Sequence, residues 1–310
     1  MGKSAQNQTN FSKVQNILRS FLAHFAFNFP RPSPESVTDL YQSAVQEATR
    51  RGVPLDCKGG ELFFGSSLVA SVGMTVTTYA HVENESIRML ITFFTACTIY
   101  LDDAAQLGDN DVVERFNERF SSGEQQPDPV LALLGDVLRE MYQHFGRVEA
   151  NTITTSALNL CTATVLEFRT EELGIKATVS AYAAFYRTLA GATDAFAFFI
   201  FDPKLSIAEY IQAIPDLGII LNHVNDIMSL YKEEKVGDDV NYISLLAQAK
   251  SIQKIEALQI LVKKCIKSHE NIVRILAPSK EASMMYEKFI QGYLAFHVYT
   301  ERYKLHELGF

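Results

Sequence analysis

Helical periodicity runs through nearly all of this 310-residue chain, and no stretch sustains the apolar–polar alternation of a half-buried strand. That pattern restricts the fold to packed helices, and only 16 Gly and 9 Pro are present to build the turns that a β-rich chain needs. The spacing predicts helices over 11–27, 36–51, 62–79, 85–105, 112–120, 130–145, 151–173, 178–201, 206–234, 241–248, 251–277 and 281–307. Pro30, Pro32 and Pro34 end the first helix, and Ser36 or Thr38 is the expected cap of the second. Gly108-Asp109-Asn110-Asp111 reads as a turn, and 121–129 as a polar loop. With no internal repeat and no composition shift, one all-α domain over 1–310 is expected, residues 1–10 being disordered.

Charge and composition exclude several classes of function. A net charge of −8 with no basic stripe argues against nucleic-acid binding. The longest membrane-span candidate, 181–201, is interrupted by Arg187 and Asp194, and the polar first ten residues carry no apolar leader segment. Cys57, Cys97, Cys161 and Cys265 are too scattered for a metal-type spacing, so buried reduced thiols are expected. Together these features lead us to expect a soluble cytoplasmic protein with no membrane span.

Asn225, Ser229 and Glu233 stand at i, i+4 and i+8. On a helix they place an amide, a hydroxyl and a carboxylate in one row. Hard oxygens on a largely apolar helix suit Mg²⁺ bridging to a phosphate, and a solvated helix face would look the same from spacing alone. A second acidic site, Asp102-Asp103, ends the apolar run 89–101, with Gln106, Asp109 and Asp111 following. Two carboxylates at the negative end of a buried helix are costly unless a cation offsets them or the helix emerges there into solvent.

Arg187 is the lone cation in the apolar run 181–191, where it suits either a structural carboxylate or a bound anion. Gly191, one turn on, weakens that helix and could free a backbone carbonyl. Lys232 adjoins Glu233, and Arg302-Tyr303 ends a helix whose inner face carries Gly292, Phe296 and Tyr299. Phe94, Phe168, Phe198, Phe296 and Tyr299 are cavity candidates, with ordinary core packing as the alternative for each. Two metal-binding helices, several phosphate donors and an aromatic interior are what ionising an allylic diphosphate requires. Aromatic faces would stabilise the cation and a dry interior would protect it.

These residues resemble the pattern of fungal class I terpene synthases of the trichodiene synthase family. The likeness includes Val72-Gly73-Met74, Leu101-Asp102-Asp103 and Val113-Glu114-Arg115-Phe116. It continues through Asn225 to Glu233 and from Gln291-Gly292-Tyr293 to Glu301-Arg302-Tyr303. The resemblance implies an α-helical bundle around a central cavity, three Mg²⁺ ions, an isoprenoid diphosphate substrate (farnesyl diphosphate) and a homodimer. It implies Asp102 as metal ligand on one wall and Asn225, Ser229 and Glu233 on the facing wall, all four with Arg187 being catalytic. Arg187, Lys232, Arg302 and Tyr303 match the family's diphosphate donors, and 104–111 and 234–243 are the segments expected to move on closure.

Phe94, Thr95, Thr98, Gly191, Phe296 and Tyr299 are the expected cavity lining. Three departures stand out: Gln106 replaces a second acid, Ala190 replaces a polar residue before Gly191, and Thr95 and Thr98 alter the lining, so trichodiene itself is not the expected product. The expected activity is therefore Mg²⁺-dependent cyclisation to a sesquiterpene. A chain-elongating prenyltransferase and a non-catalytic helical relative are the competing readings.

Overall fold

The computed structural model describes residues 2–55, 64–107, 113–172, 179–237 and 241–310, and no strand occurs among them. Cys57, Asp109, Asp111 and parts of both expected mobile segments lie outside the described residues. The fold is all-α, as the periodicity predicts. None of its described helices is long and apolar enough to cross a membrane.

The chain divides into two compact units, each assembled from separated segments. One unit comprises residues 1–31, 177–188 and 207–310. It contains α1 (Gly2–His24), most of α8 (Ser180–Ala190), α10 (Ile214–Val236), α11 (Tyr242–Lys250), α12 (Lys254–Leu276) and α13 (Lys280–Tyr299). Within it α10 packs on α12 and α13, and α1 packs on α12 and on α10. Helix α10 carries Pro215 in its first turn, where a missing N–H costs nothing, and ends at Gly237 in the left-handed region (φ 78°). Thirteen of its side chains from Ile214 to Tyr231 are buried, so it is the unit's central rod.

The other unit comprises 32–176 and 189–206. It holds α2 (Pro34–Arg50), α3 (Phe64–Thr78), α4 (Glu85–Leu107), α5 (Phe116–Ser122), α6 (Pro129–His144), α7 (Arg147–Glu172) and α9 (Thr193–Phe198). Helix α4 packs against α3, α6 and α7 and buries Leu90, Ile91, Phe93, Phe94, Ala96, Cys97 and Leu101. A buried Thr75–Thr92 hydroxyl pair, 2.9 Å apart, joins α3 to α4. Cys97, Cys161 and Cys265 are buried free thiols, as expected.

Several boundaries differ from expectation. Helix α1 begins at Gly2, whereas the apolar periodicity starts only at Phe11. Ser33, not Ser36 or Thr38, caps α2, accepting from the Ser36 N–H. Pro34 therefore acts as an N-terminal starter and not only as a breaker. The span 178–201 is not one helix. It breaks at Gly191, and Ala192 takes a left-handed conformation (φ 45°) that costs an L-residue roughly 1 kcal/mol. Tertiary bonds hold the second piece: the Tyr79 hydroxyl donates to the Phe196 carbonyl and His81 Nε2 to the Ile200 carbonyl, each at 2.9 Å. Likewise α13 stops at Tyr299 because Thr300 is extended, and Arg302-Tyr303 occupy a separate 3₁₀ turn, Glu301–Tyr303.

Candidate active site

Helix α10 presents the Asn225, Ser229 and Glu233 row on its C-terminal half. Asn225 and Glu233 are half-buried, and Ser229 is only 2 % exposed. The Ser229 hydroxyl has no hydrogen-bond partner among the described residues. A buried orphan hydroxyl is costly unless something else meets it. The donor set is an amide oxygen, a hydroxyl and one carboxylate, which is hard-ligand chemistry suited to Mg²⁺. No cluster of three or more His, Cys, Asp or Glu able to hold a metal occurs among the described residues. With a single carboxylate, the α10 row is too weakly charged to retain a divalent ion without further anionic oxygens. The residues therefore fit an ion that arrives together with a phosphate-bearing ligand.

Arg187 on α8 reaches this row. Its Nε donates to Asp226 Oδ1 at 2.7 Å, and its Nη2 donates to the Asn222 carbonyl at 3.1 Å and to Asn225 Oδ1 at 3.3 Å. Burial is the largest single influence and would depress the guanidinium; the Asp226 charge and hydrogen bond, with the more distant Tyr293 and Glu233 charges, together outweigh it and hold the pKa above the ordinary arginine value. The Nη1 edge makes no hydrogen bond among the described residues, which leaves a charged donor pair for an anion. The structural-carboxylate reading of Arg187 is thus met on one edge, and the Nη1 edge stays without a hydrogen bond among the described residues. Asp226 is 7 % exposed, and its second oxygen meets His223 Nδ1 at 3.0 Å. His223 in turn stacks flat on Tyr242, with ring centroids 5.3 Å apart.

The opposite edge of Asn225 faces the C-terminal segment. Its Nδ2 donates to the Tyr303 hydroxyl at 3.3 Å and lies 3.5 Å from His297 Nε2. His297 is fully buried, and its Nδ1 donates to the Tyr293 carbonyl at 2.8 Å. Burial is the chief reason its pKa falls to about 4, and the nearby Lys232 charge adds to the effect, so the imidazole is neutral at pH 7. Lys232 Nζ sits 5.3 Å above the Tyr303 ring, a cation–π distance. Arg302 is half-buried in the same 3₁₀ turn as Tyr303, whose ring packs against Phe296 at 5.6 Å.

One compact unit therefore brings together Arg187, Asn225, Ser229, Lys232, Glu233, Phe296, Arg302 and Tyr303. Asp102 and Asp103 belong to the other unit, near the C-terminal end of α4, with Asp102 exposed and Asp103 half-buried. Gln106 lies on α4, and its side chain is outside the described residues. Phe94 is fully buried between Phe196 and Phe199, with ring centroids 5.4 and 5.3 Å away. Phe168 and Phe198 are likewise buried in that unit. Thr95 is buried with its hydroxyl unpartnered among the described residues, and Thr98 bonds back to the Thr95 carbonyl at 2.8 Å. Gly191 lies half-buried in the turn between α8 and α9. Tyr299 turns to the N-terminal segment: its hydroxyl donates to the Phe29 carbonyl at 2.7 Å, and Arg31 lies over its ring at 5.0 Å.

Three participants escape the reading of motifs. Asp226 is visible only as the neighbour of Asn225; His297 and His223 carry a signal only as histidines inside apolar helices.

The family model for trichodiene synthase (TRI5) matches residues 63–309. Alpha-cuprenene synthase COP6 of Coprinopsis cinerea is 32 % identical over 271 residues, covering 87 % of this chain and 83 % of that protein. Terpene synthase BipA of Cochliobolus sativus is 30 % identical over 316 residues, covering 99 % and 94 %. Among solved structures, the linalool/nerolidol synthase of Streptomyces clavuligerus, in complex with 2-fluorogeranyl diphosphate, superposes with a TM-score of 0.66. At 12 % identity over 89 % of this chain and all of that one, it establishes the shared fold alone.

Proposed function

We propose that this chain, which belongs to the trichodiene synthase family, is a sesquiterpene synthase that ionises farnesyl diphosphate and cyclises the resulting carbocation. The observation that carries the reading is the α10 row: an orphan buried Ser229 hydroxyl between Asn225 and Glu233, with the open edge of Arg187 beside it. The sesquiterpene class is supported by the family match and by relatives named for cuprenene formation.

The step to be catalysed is heterolysis of the allylic C1–O bond, in which the electron pair leaves with the diphosphate. Arg187, Lys232 and Arg302 present fixed positive charge to those oxygens, and the Tyr303 hydroxyl donates to them. Asp226 grips one edge of Arg187 and so keeps the other edge aimed without spending binding energy on ordering a flexible side chain. Mg²⁺, held by the Asn225 amide oxygen, the Ser229 hydroxyl and the Glu233 carboxylate, would supply further positive charge to the leaving group, and the family resemblance assigns Asp102 a metal contact and three ions per diphosphate as well. Phe296 and its aromatic neighbours exclude water and offer π-faces to the cation. Loss of a proton, or capture of one water followed by loss of a proton from the resulting oxonium, then ends the reaction as a hydrocarbon or an alcohol.

The test is release of inorganic diphosphate from farnesyl diphosphate by the purified protein. Release should require Mg²⁺ and cease with a chelator, and added isopentenyl diphosphate should yield no longer diphosphate. A longer prenyl diphosphate would replace cyclisation by chain elongation. Absence of any turnover with farnesyl or geranyl diphosphate would leave a non-catalytic relative.

A further inference from the structure

We propose that His297 is a positioning residue that sets which way the Asn225 amide faces, turning its oxygen toward Arg187 and the metal side. The inference rests on the reading above in that Asn225 serves as a metal ligand. An asparagine ligates a hard cation through Oδ1 alone, so a half-turn of its amide would present an NH₂ group and abolish the ligand.

The contacts around Asn225 discriminate between the two orientations. His297 Nδ1 carries the proton that it donates to the Tyr293 carbonyl at 2.8 Å. In the neutral ring that places the lone pair on Nε2, which accepts. That nitrogen faces Asn225 Nδ2 at 3.5 Å. At the other end, Arg187 Nη2 can only donate, and it lies 3.3 Å from Asn225 Oδ1. Flipping the amide would set donor against donor at Arg187 and acceptor against acceptor at His297. The Tyr303 hydroxyl accepts from the same Nδ2 at 3.3 Å.

His297 matters most once an anion binds. Arg187 is then drawn to a second partner, and its hold on Oδ1 at 3.3 Å is the longest of its three bonds. The His297 lone pair, facing Nδ2, then still rejects the flipped amide. A histidine that only filled space would need no such alignment. Its ring does pack on Tyr303 at 4.4 Å and on Tyr293 at 4.7 Å, so a phenylalanine keeps the shape and removes the acceptor.

Three changes separate orientation from packing. His297→Phe removes the acceptor, and His297→Gln restores one near the Nε2 position. Asn225→Asp makes the two ends of the ligand chemically equivalent, so there is nothing left to orient. The readout is Mg²⁺ affinity by titration calorimetry with saturating inorganic pyrophosphate, which involves no turnover, alongside the thermal midpoint of each variant. His297→Phe should weaken Mg²⁺ binding about tenfold to a hundredfold, as loss of a ligand-orienting partner does. His297→Gln should recover to within about threefold of wild type, and His297→Phe should add no further loss in the Asn225→Asp background.

Equal affinity in His297→Phe and wild type, or an equal loss in His297→Gln, would overturn the proposal. So would a full additional loss in the Asn225→Asp background. Should His297→Phe not fold, His297→Leu takes its place in the same comparison. Wild-type protein that binds no Mg²⁺ with pyrophosphate would instead overturn the functional reading on which the proposal stands, and the proposal with it.

Discussion

At the scale of single residues, Asn225 and Asp226 stand side by side on one helix yet do different work. Asn225 Oδ1 accepts from Arg187 and is the proposed metal ligand, whereas Asp226 is committed to Arg187 and His223. Asn225→Ala, and equally Asp102→Ala, is expected to reduce turnover to near background while leaving the thermal midpoint close to wild type. Glu233→Asp should be milder, since a carboxylate stays within reach; steady-state kinetics beside a melting curve checks all three. Asp226→Asn should behave differently. It leaves a half-buried guanidinium, 18 % exposed, without its buried counter-charge. Breaking a buried pair in this way costs about 3–5 kcal/mol, measurable by urea unfolding. The Asn225, Ser229 and Glu233 row is legible in the sequence because helical spacing alone aligns it. Asp226 as the partner of Arg187, and His297 as the partner of Asn225, are not, since 39 and 72 residues separate them and only tertiary packing brings them together.

At the scale of elements, the α-helices follow from apolar periodicity, and the errors fall where tertiary contacts overrule it. The break between α8 and α9 is half-written in Gly191, but the positive φ falls on Ala192, held by bonds from Tyr79 and His81 more than a hundred residues away. The end of α13 carries no glycine or proline, and Thr300 leaves the helix so that Arg302-Tyr303 can form their own turn. Charge also ties elements together. Arg51 at the end of α2 pairs with Glu47 on its own helix and with Glu140 on α6. Hydrogen bonding from Arg50, followed by the contribution of Arg51, holds the Glu47 carboxyl down at about 2, against an ordinary value of 4.5. A depressed carboxylate stabilises the fold fully above its unfolded pKa, and the contribution is lost as pH falls from about 4.5 through about 2. Glu47→Gln should therefore flatten the acid limb of the stability curve in that window and lower stability at neutral pH. An unchanged limb in pH-dependent urea melts would show that the pair contributes nothing.

At the scale of the whole molecule, the family match from residue 63 to 309 and the all-α fold identify the chain as a member of the trichodiene synthase family. Product choice is a separate question, because it depends on how the contour of a reaction space folds a flexible chain. The central claim is the conversion itself: an isoprenoid diphosphate enters, and a cyclised carbon skeleton leaves. Mass spectrometry of the volatiles formed by the purified protein from farnesyl diphosphate and Mg²⁺ tests it most directly. The expected result is a cyclic fifteen-carbon hydrocarbon or alcohol that disappears with a chelator and in Asn225→Ala. Recovery of unreacted farnesyl diphosphate, or of a longer prenyl diphosphate once isopentenyl diphosphate is added, would contradict it.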